Sequence, residues 1–187
     1  MSISGDGLKS NVRGTEGNDD IRATTDTDGS NLQSGFGDDI LRGGRFDDWL
    51  TGGAGNDQLF GGDGADQFRF FGGSSNDRTA SREIEGSSDT DFIRDLDFVE
   101  GDSIVLNGFG VGKFVEAAGA NALDNGNSVI ITSYAGLRAI DDASDAISIT
   151  RLSNGNLIVS IMDSEGAFQN ISITGGVAGY DASAPTV

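Results

Sequence analysis

Between Ser34 and Arg69 the chain repeats a nine-residue word four times without a break: SGFGDDILR, GGRFDDWLT, GGAGNDQLF and GGDGADQFR. Each word carries Asp at its sixth position (Asp39, Asp48, Asp57, Asp66) and a large apolar residue at its eighth (Leu41, Leu50, Leu59, Phe68). Nine is neither a helical nor a simple strand period, so the spacing describes a chain that winds and returns to an equivalent place. In GGAGNDQLF the glycines at 52, 53 and 55 allow backbone conformations closed to residues with a Cβ, which makes the first six residues a tight turn. The last three make a very short strand with Leu59 pointing inward. Two words then complete one coil. Leu41 stacks on Leu59, Leu50 stacks on Phe68, and the two columns face each other across a thin core.

On that geometry Asp39 and Asp57 project from adjacent coils on one edge, and Asp48 and Asp66 on the other. Stacked carboxylates repel one another unless a cation lies between them. Carboxylate and carbonyl oxygens in a flexible glycine frame suit calcium, whereas magnesium demands a smaller, stricter octahedron and keeps its water. Two plainer readings compete. Glycine and aspartate richness also marks disordered acidic segments, which bury too little apolar surface to offset the entropy of ordering. A metal-free solenoid is the other, although it would not need aspartate at a fixed position.

GGAGNDQLF and GGDGADQFR match the nonapeptide GGxGxDxUx, with U a large apolar residue, and the chain therefore resembles the calcium-binding repeats-in-toxin (RTX) family. SGFGDDILR and GGRFDDWLT are imperfect copies, the second with Phe46 in place of the fourth-position glycine. An outlying word, Gly14 to Arg22, also fits, with Asp19 and Ile21 in the diagnostic places. In the family, the sixth-position aspartates of words n and n+2 share one calcium. The resemblance thus implies one site between Asp39 and Asp57 and another between Asp48 and Asp66. Each would be completed by turn carbonyls, drawn from Gly35, Gly37, Gly44, Gly53, Gly55, Gly62 and Gly64. A third site, between Asp19 and Asp39, depends on a degraded word at Thr25 to Gln33, with Leu32 apolar but Ser30 at the aspartate position and Ala23 and Thr24 inserted before it. Gly5 to Arg13 reads as a still weaker first coil, with Val12 inward and Ser10 in place of aspartate. Roughly two to four calcium ions are expected in all.

A net charge of −18 on 187 residues works against a compact chain, and bound divalent cations remove part of that cost. Only 12 Lys and Arg are present and they form no basic patch, which argues against nucleic acid as a partner. The chain has no Cys and no His, so zinc fingers, disulfides and histidine-based triads are excluded. With 30 carboxylates, paired acids have no diagnostic value for a glycosidase, and no zinc protease motif, nucleophile elbow or phosphate loop occurs. Catalysis by this chain itself is not expected. The opening stretch has no apolar core behind positive charge, so a cleaved leader is not expected, and no segment reaches the roughly 18 apolar residues of a membrane span. Either the chain is an excised module or it leaves the cell by another route. The family resemblance supplies that route: a bacterial one-step (type I) secretion apparatus, with the chain loose in the calcium-poor cytosol and folding outside the cell, where affinities of about 10⁻⁴–10⁻³ M suffice.

Past Phe71 the register stops. Strands are expected near Phe92 to Asp95, Ser103 to Leu106, Val129 to Thr132, Ala146 to Arg151, Asn156 to Met162 and Gln169 to Thr174, with a short helix at Tyr134 to Ala143. The fold class is all-β: a parallel β-roll, a calcium-stapled right-handed solenoid, followed by a C-terminal antiparallel β cap with one short helix. The divisions are a roll at 1–72, a connector at 73–90, the cap packed on the roll at 91–175, and a flexible tail or secretion signal at 176–187. The segment Asp91 to Leu106 resembles the stretch immediately after the last repeat in secreted proteases and in the repeat modules of alginate epimerases. Asp89, Asp91, Asp95, Asp97 and Asp102 either supply another calcium at the end of the roll or form a solvated face. The resemblance to such modules also offers a second role, non-catalytic binding of an acidic, alginate-like polysaccharide, with Arg22, Arg42, Arg45, Arg69 and Trp49 on the outside of the coils. For those arginines, charge compensation of the acidic turns is the competing reading. An adhesion or matrix protein is a further setting.

Overall fold

The computed structural model describes residues 10–23, 28–72, 89–109, 128–143, 147–162 and 168–184. Nine strands form the coils: β1 (Ser10–Arg13), β2 (Asp20–Arg22), β3 (Ser30–Phe36), β4 (Ile40–Gly44), β5 (Trp49–Ala54), β6 (Gln58–Gly62), β7 (Gln67–Phe71), β8 (Thr90–Ile93) and β9 (Ser103–Asn107). After them come β10 (Ser128–Ile131), α1 (Tyr134–Ala143), β11 (Ile147–Arg151), β12 (Leu157–Met162), β13 (Phe168–Ile173) and α2 (Gly176–Ala182). Odd and even strands of the coils separate into two sheets, with orders β1-β3-β5-β7-β9-β10 and β11-β12-β13-β8-β6-β4-β2.

The nine-residue spacing sets the register. Leu41 lies beside Leu59 and Leu50 beside Phe68 in parallel ladders, the stacking expected from the words alone. The columns run further than the perfect repeats, to Ile21 and Ile93 in one sheet and to Leu32 and Ile104 in the other. All eight side chains are buried, each having a facing column to pack against. The described ends of the degraded word and of the weak first coil pair with each other as parallel strands. Ser10 pairs with Ser30, and Val12 with Leu32.

Three expectations change. The strands are longer than three residues because pairing continues through the opening glycines of the next word, Gly35 beside Gly53 and Gly44 beside Gly62. Parallel pairing also runs on past the expected start of the cap: β8 joins β6 and β9 joins β7, so both belong to the last coil. The reason is a triplet. Asp91-Phe92-Ile93 and Asp102-Ser103-Ile104 repeat the Asp-x-apolar spacing of Asp57-Gln58-Leu59 after the nine-residue count has lapsed. The antiparallel strands β11, β12 and β13 then join edge to edge, through β13 on β8, which closes that sheet edge. Finally, the residues expected to form a flexible tail include α2, whose Tyr180 is buried. Arg138 and Arg151 lie over its ring at 4.0 and 4.9 Å, and its hydroxyl donates to Asp141 at 3.0 Å. The connector expected at 73–90 lies outside the described residues except at its end.

Candidate metal centre

Along each edge of the roll the sixth-position carboxylates form a ladder. On the first edge Oδ1 of Asp39 accepts from the Asp19 amide (2.7 Å), Asp57 from Asp39 (2.8 Å) and Asp91 from Asp57 (2.8 Å). On the second edge Asp48 accepts from Ser30, Asp66 from Asp48 (2.7 Å) and Asp102 from Asp66 (2.9 Å). Every one of these carboxylates therefore reaches back to the coil before it. A second ladder runs outside in the opposite sense: Asn18 accepts from the Asp38 amide, Asp38 from Asn56, and Asp47 from Ala65. The Asn56 amide holds the exposed Asp38 carboxyl below the usual range.

The second carboxylate oxygen turns toward the first residue of its own word. A Cβ added to Gly52 would lie 2.1 Å from Asp57 Oδ2, and one on Gly61 would lie 2.2 Å from Asp66 Oδ2. At Gly43 it would meet both Asp48 Oδ2 (2.5 Å) and the Gly61 carbonyl of the next coil (2.2 Å), so carboxylate and carbonyl oxygens converge where the side chain is missing. The Oδ2 atoms of Asp57 and Asp66 are buried without a hydrogen-bond partner.

Such burial is costly for an anion. It pushes the Asp57 carboxyl up to about 7, against the pull of the Asp39 amide and reinforced by Asp39 and Asp38. Burial likewise carries Asp66 to about 7, reinforced by Asp102 and Asp48. Asp39 and Asp102 are raised for the same reason, and Asp91 well above the ordinary carboxylate range. Among the described residues no three acidic side chains converge on one point. A cation here would draw on one or two carboxylates and on backbone carbonyls. The donor set fits a hard divalent ion: oxygen only, anionic, buried and partly unpaired.

The structure brings Asp39 together with Asp57, and Asp48 with Asp66, as successive rungs on opposite edges. Asp19 stands at the start of the first ladder, but its own Oδ2 accepts from the amide and hydroxyl of Thr15 at 2.7 and 2.9 Å. Gly37, Gly55 and Gly64 lie between strands with φ of 114°, 125° and 114°. Gly35, Gly44, Gly53 and Gly62 lie within strands instead. Asp91 and Asp102, two of the five alternating aspartates after the repeats, prove to be rungs. Gln169 was not singled out by sequence: its Nε2 donates to Asp91 Oδ2 at 3.2 Å. No local signal marks it, since it lies 78 residues further along the chain.

Of the outward residues, Arg42 and Arg22 pair with Asp20, and Arg69 lies over Trp49 at 4.8 Å. Arg45 and Phe46 line a cavity of about 470 Å³ with Asp28 and Asp48.

No curated protein matches the chain. Among solved structures, that of the AlgE6R2 subunit from the Azotobacter vinelandii mannuronan C5-epimerase shares the fold, with a TM-score of 0.51 at 19% identity. The match covers 97% of this chain and 91% of that one. The family model of the RTX calcium-binding nonapeptide repeat, in four copies, matches residues 33–68. Between those positions the chain is thus similar to a block of RTX calcium-binding repeats, and there it is wound as a parallel β-roll.

Proposed function

We propose that the chain is a calcium-dependent folding module of a secreted protein. The observation that carries this reading is the pair of buried, partnerless Oδ2 atoms on Asp57 and Asp66. Calcium would be held by Asp39 with Asp57 and by Asp48 with Asp66, with turn carbonyls completing each site and Asp19 contributing at the start of the first edge. The ion supplies positive charge between stacked carboxylates and so couples folding to calcium concentration. In a calcium-poor cytosol the acidic roll stays loose, as one-step secretion requires, and it folds on reaching extracellular calcium.

The test is Asp57→Ala. Removing one of two charged ligands raises the calcium midpoint for folding by about tenfold or more, followed by circular dichroism. An unchanged midpoint refutes the pairing.

A second reading rests on the outer faces of the coils. Arg42 lies over Phe60 at 5.3 Å, Arg94 over Phe92 at 4.7 Å and Arg69 over Trp49. Such pairs present cations beside flat apolar rings, a surface suited to an acidic polysaccharide, and the solved relative in fold comes from an enzyme acting on mannuronan. On this reading the module binds the polymer and leaves chemistry to a partner domain. Calorimetry with a uronate polymer in saturating calcium separates it from a purely folding and export role.

A further inference from the structure

We propose that Asn154 is a self-modifying site, at which the side-chain amide is displaced by the nitrogen of the glycine that follows, and that the change releases the start of α2. The reaction uses neither the carboxylate ladders nor a metal, so it stands apart from the calcium reading.

Asn-Gly occurs three times in the chain, at Asn107, Asn125 and Asn154. Asn125 lies outside the described residues. The other two occupy opposite settings. Asn107 ends β9 between Phe71 and Ser128, its carbonyl accepts from the Gly72 amide at 2.8 Å, and Gly108 beyond it is buried. Asn154 stands in the hairpin turn between β11 and β12 and is exposed, as are Leu152 and Ser153 before it. A Cβ on Gly155 would meet nothing within 4 Å. The turn therefore has room around it, and the residue after Asn154 has no side chain to obstruct attack.

The turn also holds a donor where charge develops. The Asn156 amide donates to Asn154 Oδ1 at 3.1 Å, so negative charge building on that oxygen as a nucleophile adds to Cγ meets an N–H already in place. The nucleophile is the Gly155 nitrogen. Its N–H donates to the Leu152 carbonyl at 3.0 Å, and that bond opens first, which in an exposed turn costs far less than global unfolding. The nitrogen then bonds to Cγ as its proton passes to water, and the side-chain nitrogen leaves as ammonia, closing an imide ring. Water opens the ring at Cγ to give Asp, or at the backbone carbonyl to give isoaspartate. One water is consumed and one ammonia released, with nothing oxidised or reduced.

Isoaspartate routes the main chain through Cβ and so lengthens the turn by a methylene. Two bonds from this turn hold the start of α2. The Gly155 carbonyl accepts from the Val177 amide at 3.1 Å, and Asn156 Oδ1 accepts from the Gly175 amide at 3.1 Å. Lengthening the turn displaces Gly155 and breaks the first of them. The far end of α2 keeps its own hold, through Arg138 on the Tyr180 carbonyl and Arg151 on Asp181, so the helix loosens at its start without detaching.

Peptide mapping by mass spectrometry of the full chain, aged in calcium at pH 8, tests the proposal. Asn154 converts about tenfold or more faster than Asn107, with isoaspartate in excess over Asp. Hydrogen exchange at the Val177 amide quickens in the converted chains, while the Ser183 amide, bonded to the Gly179 and Tyr180 carbonyls, is unaffected. Gly155→Ala, whose added methyl hinders the attacking nitrogen, slows the conversion. Asn154 surviving as long as Asn107 overturns the site, and equal Val177 exchange in converted and unconverted chains overturns the release of α2.

Discussion

Gly62→Ala unfolds much of the roll, whereas Gly155→Ala costs about 1 kcal/mol. Both glycines have positive φ, 98° and 88°, so the backbone penalty on a Cβ is similar. The surroundings differ. A Cβ at Gly62 would sit 2.2 Å from the Gly44 carbonyl oxygen, while at Gly155 nothing lies within 4 Å. The obstructing atom is backbone and is held by its bond from the Asp63 amide at 2.9 Å, so it cannot swing aside. Conformational strain of about 1–3 kcal/mol is therefore joined by the cost of prising two coils apart, and the total loss exceeds about 3 kcal/mol. Denaturant midpoints of the two variants in saturating calcium check this. Equal losses would show that the coils are not packed as tightly as their glycines imply.

Acidification stabilises the calcium-free chain and weakens calcium binding. The signs follow from Asp57 and Asp66, whose folded carboxyls stand at about 7 against an ordinary 3.8. A group with a raised folded value holds more protons in the folded than in the unfolded state between those two values. The folded calcium-free roll is accordingly favoured as pH falls from about 7 toward 4, and that gain is lost as pH rises through 7. Calcium needs the carboxylates ionised, so its binding near neutrality releases protons. The net charge of −18 acts in the same direction on the calcium-free chain. Denaturation without calcium at pH 5.5 and pH 8 measures the first effect, and titration in buffers of different ionisation enthalpy measures the second. Asp57→Asn flattens both. A calcium-free chain more stable at pH 8 would contradict the burial of these carboxylates.

The roll was legible because glycine and aspartate encode their own geometry. The word length fixed which leucines stack, and the sixth-position aspartates fell on opposite edges as alternate words require. Successive rungs Asp39 and Asp57 lie 18 residues apart, and the Ala23 and Thr24 insertion stretches the step from Asp19 to Asp39 to 20 without breaking it. The last coil was hidden because the steps from Asp57 to Asp91 and from Asp66 to Asp102 lengthen to 34 and 36 residues. Only the Asp-x-Ile triplets survive that lengthening. Reading the opening glycines as turn alone shortened the strands, since glycine can keep a parallel ladder while leaving room for the coil beside it. Gln169 reaches the end of its ladder through tertiary folding, which no local period records. Tyr180 holds α2 in place from within a stretch of small residues that, taken alone, promises no order.

The central claim is that cations between stacked carboxylates hold the coils together. Far-ultraviolet circular dichroism of the calcium-free chain at pH 7.5, titrated with calcium and in parallel with magnesium, tests it most directly. The account expects a large gain of strand signal in millimolar calcium and little in magnesium at equal concentration. A strand signal already complete without calcium, or no gain on adding it, would contradict the account.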